Sequence, residues 1–204
     1  MTAILKVDTI QDTAGNNIIN ESSDTITIGA SGDTIALAGT TVTGITQGIT
    51  VADNWRLTTP YEVGTTSKAY ITANLEQVDT AGQGTLGSAM TQSSGVFTFP
   101  STGIWYVAML LYTYDGADYN YVYSEIDVTT NNSSYTEVAQ SVANGVTGAS
   151  QRETSSVVST LIDVTNTTNV KVKFGLSAST TGVNVWGDTA RNGTNMMFIR
   201  LGDT

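Results

Sequence analysis

The chain has no histidine and no cysteine among its 204 residues. The missing histidines remove the usual general base near neutral pH and the commonest transition-metal ligand. The missing cysteines exclude disulfides and thiolate metal sites. Phosphate-loop, Ser/His, Cys/His and zinc motifs are also absent from the sequence. We therefore predict a protein that is not an enzyme and has no cofactor. Paired carboxylates from distant strands leave a polysaccharide depolymerase open as an alternative.

Basic residues are few, because eight Lys and Arg stand against eighteen Asp and Glu, giving a formal net charge of −10. They are scattered along the chain, whereas a phosphate-backbone partner requires a cluster of them. No apolar run approaches the length of a membrane-spanning helix. Residues 1–10 lack the basic flank and apolar stretch of a signal peptide. We therefore expect no nucleic-acid binding, no membrane insertion and no export through a cleaved signal.

The first 54 residues contain no Trp, Phe or Tyr, so they can hardly build a core of their own. Asp-Thr-Ile recurs there at 8–10, 24–26 and 33–35, and the last two copies extend to DTITIGAS and DTIALAGT. Alternating apolar residues before Gly-containing turns predict short strands with one buried face. Because one chain cannot cover that face, we expect three chains packed around an axis. A disordered polar tail is the alternative.

Beyond residue 50, runs of β-branched and aromatic residues alternate with Asn, Thr and Gly clusters, as in a sandwich. Asp115-Gly116 predicts a tight hairpin within this region. The predicted strands are 69–78, 95–99, 104–112, 119–128, 157–164, 170–176, 183–186 and 196–201. This pattern, without a helix, predicts an all-β protein: an extended β-repeat segment over 1–50 and a jelly-roll head over 51–204.

Residues 95–107 read GVFTFPSTGIWYV. This stretch resembles the Gly-x-Phe-Thr-x-Pro-x-x-Gly-x-Tyr signature of the C1q/TNF-like jelly-roll superfamily, with one extra residue before the tyrosine. The matching residues are Gly95, Phe97, Thr98, Pro100, Gly103 and Tyr106. The family's upstream Phe and Asn positions have no recognisable counterpart. The resemblance covers residues 54–204 and implies a homotrimer of jelly-roll heads.

Residues 4–17 read ILKVDTIQDTAGNN. They look like the N-terminal segment of fibre and other virion proteins of marine tailed phages, such as cyanophages. In such proteins that segment docks to the particle, while the C-terminal head projects. The resemblance implies location in the virion and a homotrimer. It also implies docking to tail, baseplate or capsid proteins through Ile4, Leu5, Val7 and Ile10.

Tyrosines and carboxylates are densest around the predicted hairpin, in a cluster of Tyr112, Tyr114, Asp115, Asp118, Tyr119, Tyr121 and Tyr123. If Val122 and Ile126 face the core, the last three tyrosines form an outward ladder. Tyrosines beside carboxylates can stack on sugars and bond their hydroxyls, which predicts a receptor surface for host glycans. Packing of the ladder between subunits is the alternative.

The same turn offers oxygen ligands for Ca²⁺ from Asp115, Asp118 and Asn120. Their spacing matches no EF-hand loop, and these residue types are ordinary in turns. We therefore predict no metal site. The functional hypothesis is a trimeric fibre or spike subunit of a virus particle that contacts the host surface, and the alternative is a capsid decoration protein.

Overall fold

The computed structural model describes residues 9–11, 13–14, 17–22, 25–28, 32, 48–145, 147–148 and 153–204. The chain divides into two compact units, Met1–Thr46 and Gln47–Thr204, and each is described by itself. The described residues form sixteen strands and no helix, so the prediction of an all-β protein is confirmed. Within these ranges, no helix is long and apolar enough to cross a membrane.

Three short strands make up the described part of the first unit: β1 (Thr9–Gln11), β2 (Asn17–Ser22) and β3 (Thr25–Ile28). They pair as an antiparallel meander, β1 with β2 and β2 with β3. The repeat copy at 24–28 therefore forms a strand, as predicted, whereas the copy at 33–40 lies outside the described residues. Ile4, Leu5 and Val7 also lie outside them, and Ile10 in β1 is 37% exposed.

The second unit contains strands β4 to β16. In chain order they span Val51–Leu57, Tyr61–Val63, Ala69–Tyr70, Leu75–Gln77, Thr91–Ser93, Val96–Thr98, Gly103–Gly116, Tyr121–Thr129, Thr136–Asn144, Thr154–Val164, Lys171–Ala178, Val183–Val185 and Asn195–Gly202. They form two antiparallel sheets, one of seven strands and one of six. We call these the larger and the smaller sheet.

Strand β10 is central to the larger sheet because it pairs with three other strands. One edge pairs with β13 from Gly103 opposite Val164 to Thr113 opposite Thr154. The other edge pairs with β16 and, beyond Leu110, with β15. The sheet continues from β16 to β4 and β7, and from β15 to β5. The smaller sheet runs β12-β11-β14-β9-β8, with β6 also paired to β14.

The core lies between the sheets and is built by the two-residue period of the strands. Alternate residues of β10 are fully buried, namely Trp105, Val107, Met109 and Leu111. From the smaller sheet, Phe97 reaches the centre of the sandwich. Its ring lies 5.2 to 5.5 Å from the rings of Trp55, Phe174 and Phe198. Aromatic pairs at such distances add to the free energy gained by burial.

Two buried charges on β4 anchor the segment between β7 and β9. The Asp53 carboxylate accepts hydrogen bonds from the backbone N–H groups of Asn54 and Met90 and from the side chains of Trp55, Gln77 and Thr85. The fully buried Arg56 guanidinium donates to Glu76, Asp79 and Thr80. Burial of a charge is costly unless it is paired and hydrogen-bonded, and both groups meet that condition.

The structure corrects the predicted hairpin. Asp115-Gly116 does not turn the chain, because β10 continues through Gly116 and pairs there with Val183 of β15. Strands β10 and β11 belong to opposite sheets, so the connection at 117–120 crosses the sandwich. Strand β2 of the first unit was absent from the prediction, as were four strands of the second unit, β4, β5, β8 and β12. Three of them are half-exposed or exposed along most of their length, which weakens the apolar alternation on which the prediction depended.

Replacement of the central ring tests this core. Because Phe97 is fully buried among aromatic rings, Phe97→Ala should lower the free energy of unfolding by about 3 to 5 kcal/mol. Denaturant melts at one fixed protein concentration measure the change. The exposed loop variant Ser134→Ala is the matched control and should stay within about 0.5 kcal/mol of wild type. Equal stabilities for the two variants would contradict this account of the core.

Candidate functional site

The predicted tyrosine cluster separates into three places. Tyr112 and Tyr114 lie on the outer face of the larger sheet, beside Trp186. Tyr119 lies inside the sandwich. Tyr121 and Tyr123 lie on the outer face of the smaller sheet. The crossing of the chain between β10 and β11 causes this separation, because it takes the two halves of the cluster to opposite sheets.

The expected outward position of Tyr119 is wrong. Its side chain is 2% exposed, and its hydroxyl bonds the hydroxyls of Thr113 and Thr154 at 2.7 and 2.9 Å. Tyr119 precedes β11, so the alternation of that strand does not govern its direction. A buried tyrosine with a satisfied hydroxyl stabilises the fold and offers no surface to a ligand.

The two aspartates of the cluster contribute less than predicted. The exposed Asp118 carboxylate accepts hydrogen bonds from the Gly148 N–H at 3.2 Å. Asp115 lies in β10, and its side chain falls outside the described residues. The described atoms therefore give no cation site at this turn.

An open aromatic cavity of about 460 Å³ lies beside Tyr112, and we call it the Trp186 pocket. Its lining residues are Leu110, Tyr112, Glu153, Ser155, Trp186, Arg191, Asn192 and Gly193. The rings of Tyr112 and Trp186 are stacked, with centroids 5.8 Å apart and planes inclined by 30°. Tyr114 meets Trp186 edge-on at 4.9 Å. The volume is in the range of small-ligand sites.

Polar groups complete the wall of the Trp186 pocket. The Arg191 guanidinium lies 5.6 Å from the centroid of the Trp186 ring and donates to Asp188 at 2.8 and 3.1 Å. Burial, and then the charge and hydrogen bond of Glu153, raise the pKa of Tyr112 above its ordinary value. The Asn192 Oδ1 is buried, and no donor in the described part of the chain reaches it.

Glycines and backbone hydrogen bonds position Trp186 in this wall. A Cβ at Gly193 would overlap the Trp186 ring, and one at Gly187 would overlap the carbonyl oxygen of Thr59. The Trp186 N–H donates to the Tyr112 carbonyl at 2.8 Å. Thr194 bonds the backbone of Tyr112 through its hydroxyl, accepting at 3.1 Å from the N–H. The loop from 186 to 194 is therefore fitted closely to β10.

The Trp186 pocket lies at the end of the larger sheet away from the start of the head. Val51 pairs with Arg200, and Gly103 pairs with Val164, at one end of the sheet. Tyr112 pairs with Ser155 nine residues further along β10. Nine strand residues span about 30 Å. The pocket is therefore distant from the point where the chain enters the head.

The outer face of the smaller sheet carries a second aromatic pair. The Tyr121 and Tyr123 rings lie 4.8 Å apart, and Val142 of β12 is opposite Tyr123. Val122 and Ile126, which alternate with them, are fully buried, as the predicted ladder requires. Tyr121 is 38% exposed. This pair is the part of the predicted ladder that faces solvent in the monomer.

A carboxylate cluster continues this face along β11. Oxygens of Glu125, Asp127 and Glu137 lie within 4.8 Å of one another, a spacing that could suit a metal ion. The Lys68 ammonium lies 3.1, 3.1 and 2.7 Å from the three carboxylates. Tyr70 donates to Asp127 at 2.7 Å. The lysine therefore supplies the positive charge that the two buried carboxylates, Glu125 and Asp127, require.

Two groups of the carboxylate cluster have raised pKa values. Burial lowers the pKa of Lys68, but its hydrogen bonds to the three carboxylates outweigh burial and raise it above the ordinary value. Burial and the hydrogen bond to Asp127 raise the pKa of Tyr70 to about 12. Both groups therefore keep their protons in the folded protein at pH values where the unfolded chain loses them.

Several residues of the Trp186 pocket were missed in the sequence. Glu153, Arg191 and Asn192 carry no motif, and they come from segments about 40 residues apart that only the sheet pairing unites. The one available signal was Trp186 itself, a large aromatic residue between Gly and Asn/Thr-rich turns. An isolated tryptophan is more often part of a core, so this signal alone did not define a site.

Comparison with known proteins supports the fold. No family model and no curated protein matches the chain. Among solved structures, murine APRIL matches with a TM-score of 0.51 and 7% identity, covering 74% of this chain and 98% of that one. Eiger TNF from S. frugiperda matches with a TM-score of 0.54 and 10% identity, covering 78% and 96%. PRD1 vertex protein P5 matches with 12% identity and a TM-score of 0.47, and the assignment does not depend on it.

The head therefore has a TNF-like jelly-roll fold, and the predicted likeness to the C1q/TNF superfamily is confirmed at the level of fold. Identities of 7 and 10% show the fold alone. The resemblance of residues 4–17 to phage virion proteins, and the function that follows from it, stay predictions.

The raised pKa values predict a loss of stability in alkali. The unfolded Tyr70 loses its proton near pH 10, whereas the folded residue keeps it to about pH 12. The stabilisation is therefore complete below pH 10 and declines above it, and Lys68 acts in the same direction. Denaturant melts from pH 8 to 11.5 should show stability falling less steeply in Tyr70→Phe than in wild type. Tyr123→Phe, outside the carboxylate cluster, is the control, and equal slopes for wild type and Tyr70→Phe would refute the linkage.

Proposed function

We propose that the chain is a subunit of a homotrimeric structural protein of a virus particle, attached through residues 1–50 and contacting the host surface through its head. One observation carries the trimer: the larger sheet exposes an outer face with several large apolar side chains. The attachment and the virion location are supported by the resemblance of residues 4–17 to phage fibre proteins. The absence of aromatic residues from residues 1–54 fits a segment that depends on partners for its stability.

The apolar face spans the central strands of the larger sheet. Leu161, Tyr106 and Ile199 lie opposite one another on β13, β10 and β16. Val157 and Leu110 form a parallel row, with Met197 between the rows. Leu161 is 60% exposed and Val157 57% exposed. A contiguous apolar patch on a protein surface marks an interface with another molecule.

A second apolar patch lies on β12, the edge strand of the smaller sheet, next to β13 in the sandwich. Val138 and Val142 are each about half exposed there. When one patch of a subunit binds a different patch of the next, the contact is heterologous, and it closes into a ring when the rotation between subunits closes. Packing of the β12 edge on the apolar face of a neighbour would produce such a ring, and we propose three subunits.

The host-contacting surface is proposed at the tyrosine pair of the smaller sheet, which borders the β12 patch because Val142 is opposite Tyr123. Tyr121 and Tyr123 lie on the outer face of the smaller sheet, opposite the apolar face. Their solvent-facing position in the single chain is what the receptor hypothesis requires, and packing between subunits stays the alternative. The carboxylate cluster, with Lys68 and Tyr70, adds hydrogen-bonding groups to the same face. The carboxylates there are held by a lysine and a tyrosine, an arrangement that does not favour the depolymerase alternative.

A charge placed in the apolar face tests the trimer. Leu161 is exposed in the isolated subunit, so Leu161→Glu should leave the fold intact but abolish assembly, because a carboxylate would be buried unpaired in the interface. Light scattering at micromolar concentration should give a trimer for wild type and a monomer for the variant, with unchanged β-type circular dichroism. Thr91→Glu, the same charge on β8 at the opposite edge of the smaller sheet from β12, should remain trimeric. A monomeric wild-type protein would refute the proposal.

Location on the particle tests the virion role. Purified particles from the source culture should contain the protein by mass spectrometry, and gold-labelled antibodies should decorate the tail if it is a fibre or spike. Labelling of the capsid would favour the decoration alternative. A chain beginning at Gln47 retains the whole second unit, and it should fold and form trimers but fail to join particles. Absence of the full chain from particles would refute the virion role.

A further inference from the structure

We propose that the Trp186 pocket binds an uncharged pyranose residue of a surface glycan. This inference deepens the proposed function, on which it rests for its biological meaning, by naming a ligand class and a site for the host contact. No sequence motif marks the pocket, and it lies on a different sheet from the Tyr121–Tyr123 pair.

The aromatic wall suits one face of a sugar ring. Tyr112 and Trp186 present two stacked rings beside Leu110 in an open cavity of about 460 Å³. Aromatic side chains provide large apolar contact area with a polar edge, which matches the C–H face and the hydroxyl rim of a pyranose. Since Gly187 and Gly193 permit the close packing of this loop, the platform is already formed without a ligand.

The polar groups of the pocket match sugar hydroxyls. The buried Asn192 Oδ1 has no donor among the described residues, and an unpaired buried acceptor is costly. A ligand hydroxyl can donate to it. Glu153 accepts hydrogen bonds, and Ser155 can both donate and accept. Several convergent polar groups beside an apolar wall are typical of a small-ligand site.

The charges of the pocket favour an uncharged ligand. Arg191 is paired with Asp188, so its positive charge is compensated. Glu153 adds a negative charge to the wall, and the whole chain carries a net charge of −10. An anionic sugar such as a uronate would meet repulsion from Glu153, and the described lining residues offer no unpaired cation to offset it.

The pocket adjoins the apolar face, shares Leu110 with it, and extends away from its centre. The row of Leu161, Tyr106 and Ile199 is six residues along β10 from Tyr112, a distance of about 20 Å. The pocket begins where the apolar face ends, at Leu110 and Val157. It lies at the far end of the head from Val51, where a surface ligand would be met.

The test uses the full-chain protein with methyl pyranosides of glucose, galactose, mannose and N-acetylglucosamine, followed by saturation-transfer NMR and tryptophan fluorescence. At least one glycoside should bind saturably. Trp186→Ala and Asn192→Ala should each weaken it tenfold or more, while Ser134→Ala in an exposed loop should leave it unchanged. Asn192→Ala keeps the test decisive if Trp186→Ala fails to fold.

Three results would overturn the site. The first is that wild type binds no glycoside of the panel. The second is that Asn192→Ala binds as tightly as wild type. The third is that methyl glucuronoside binds as tightly as methyl glucoside. Sugar binding by the isolated protein does not require a particle. If the sugar binds in the pocket but the protein is absent from particles, the virion role fails and the site stands. If the protein is on particles but binds no sugar, the site fails and the virion role stands.

Discussion

The three-way pairing of β10 is the constraint on which the rest of the head depends. One edge of the strand binds β13 over its whole paired length, and the other divides between β16 and β15 at Leu110. The same strand sends Trp105, Val107, Met109 and Leu111 into the core. A strand used in this way has no free edge along its paired residues, and it fixes the register of three neighbours through one hydrophobic alternation.

Along its second edge, β10 changes its pairing partner from β16 to β15, and this change creates the candidate site. Since β16 ends its pairing at Leu110 and β15 begins at Thr113, the loop between β15 and β16 must leave the sheet beside Tyr112. Trp186 and Arg191 lie on that loop and cover the outer side of the sheet. The pocket is therefore a consequence of the strand order, and its aromatic wall joins residues that the sequence separates by more than 70 positions.

The two outer faces of the sandwich differ in chemistry, and this difference organises the proposed assembly. The larger sheet exposes Leu161, Val157 and Met197 without charged residues among them. The smaller sheet exposes tyrosines beside carboxylates that are held by Lys68. Burial of the first face against a copy of the chain would contribute a free energy of about 25 cal/mol for each Å² of apolar area removed from water. The second face has its charges already paired and can remain in contact with solvent.

The sequence by itself determined the all-β class, the change in composition near residue 50 and most strands of the head, because two-residue periodicity and turn residues are local signals. The strand period also linked an outward Tyr121 and Tyr123 to a buried Val122 and Ile126, and the structure has this arrangement. The tertiary structure alone decided that Asp115-Gly116 stays in a strand, that Tyr119 is buried, and that Tyr112 meets Trp186. These features depend on which strands pair and on where the chain crosses between sheets, and long-range pairing leaves no local mark on the residues that it brings together.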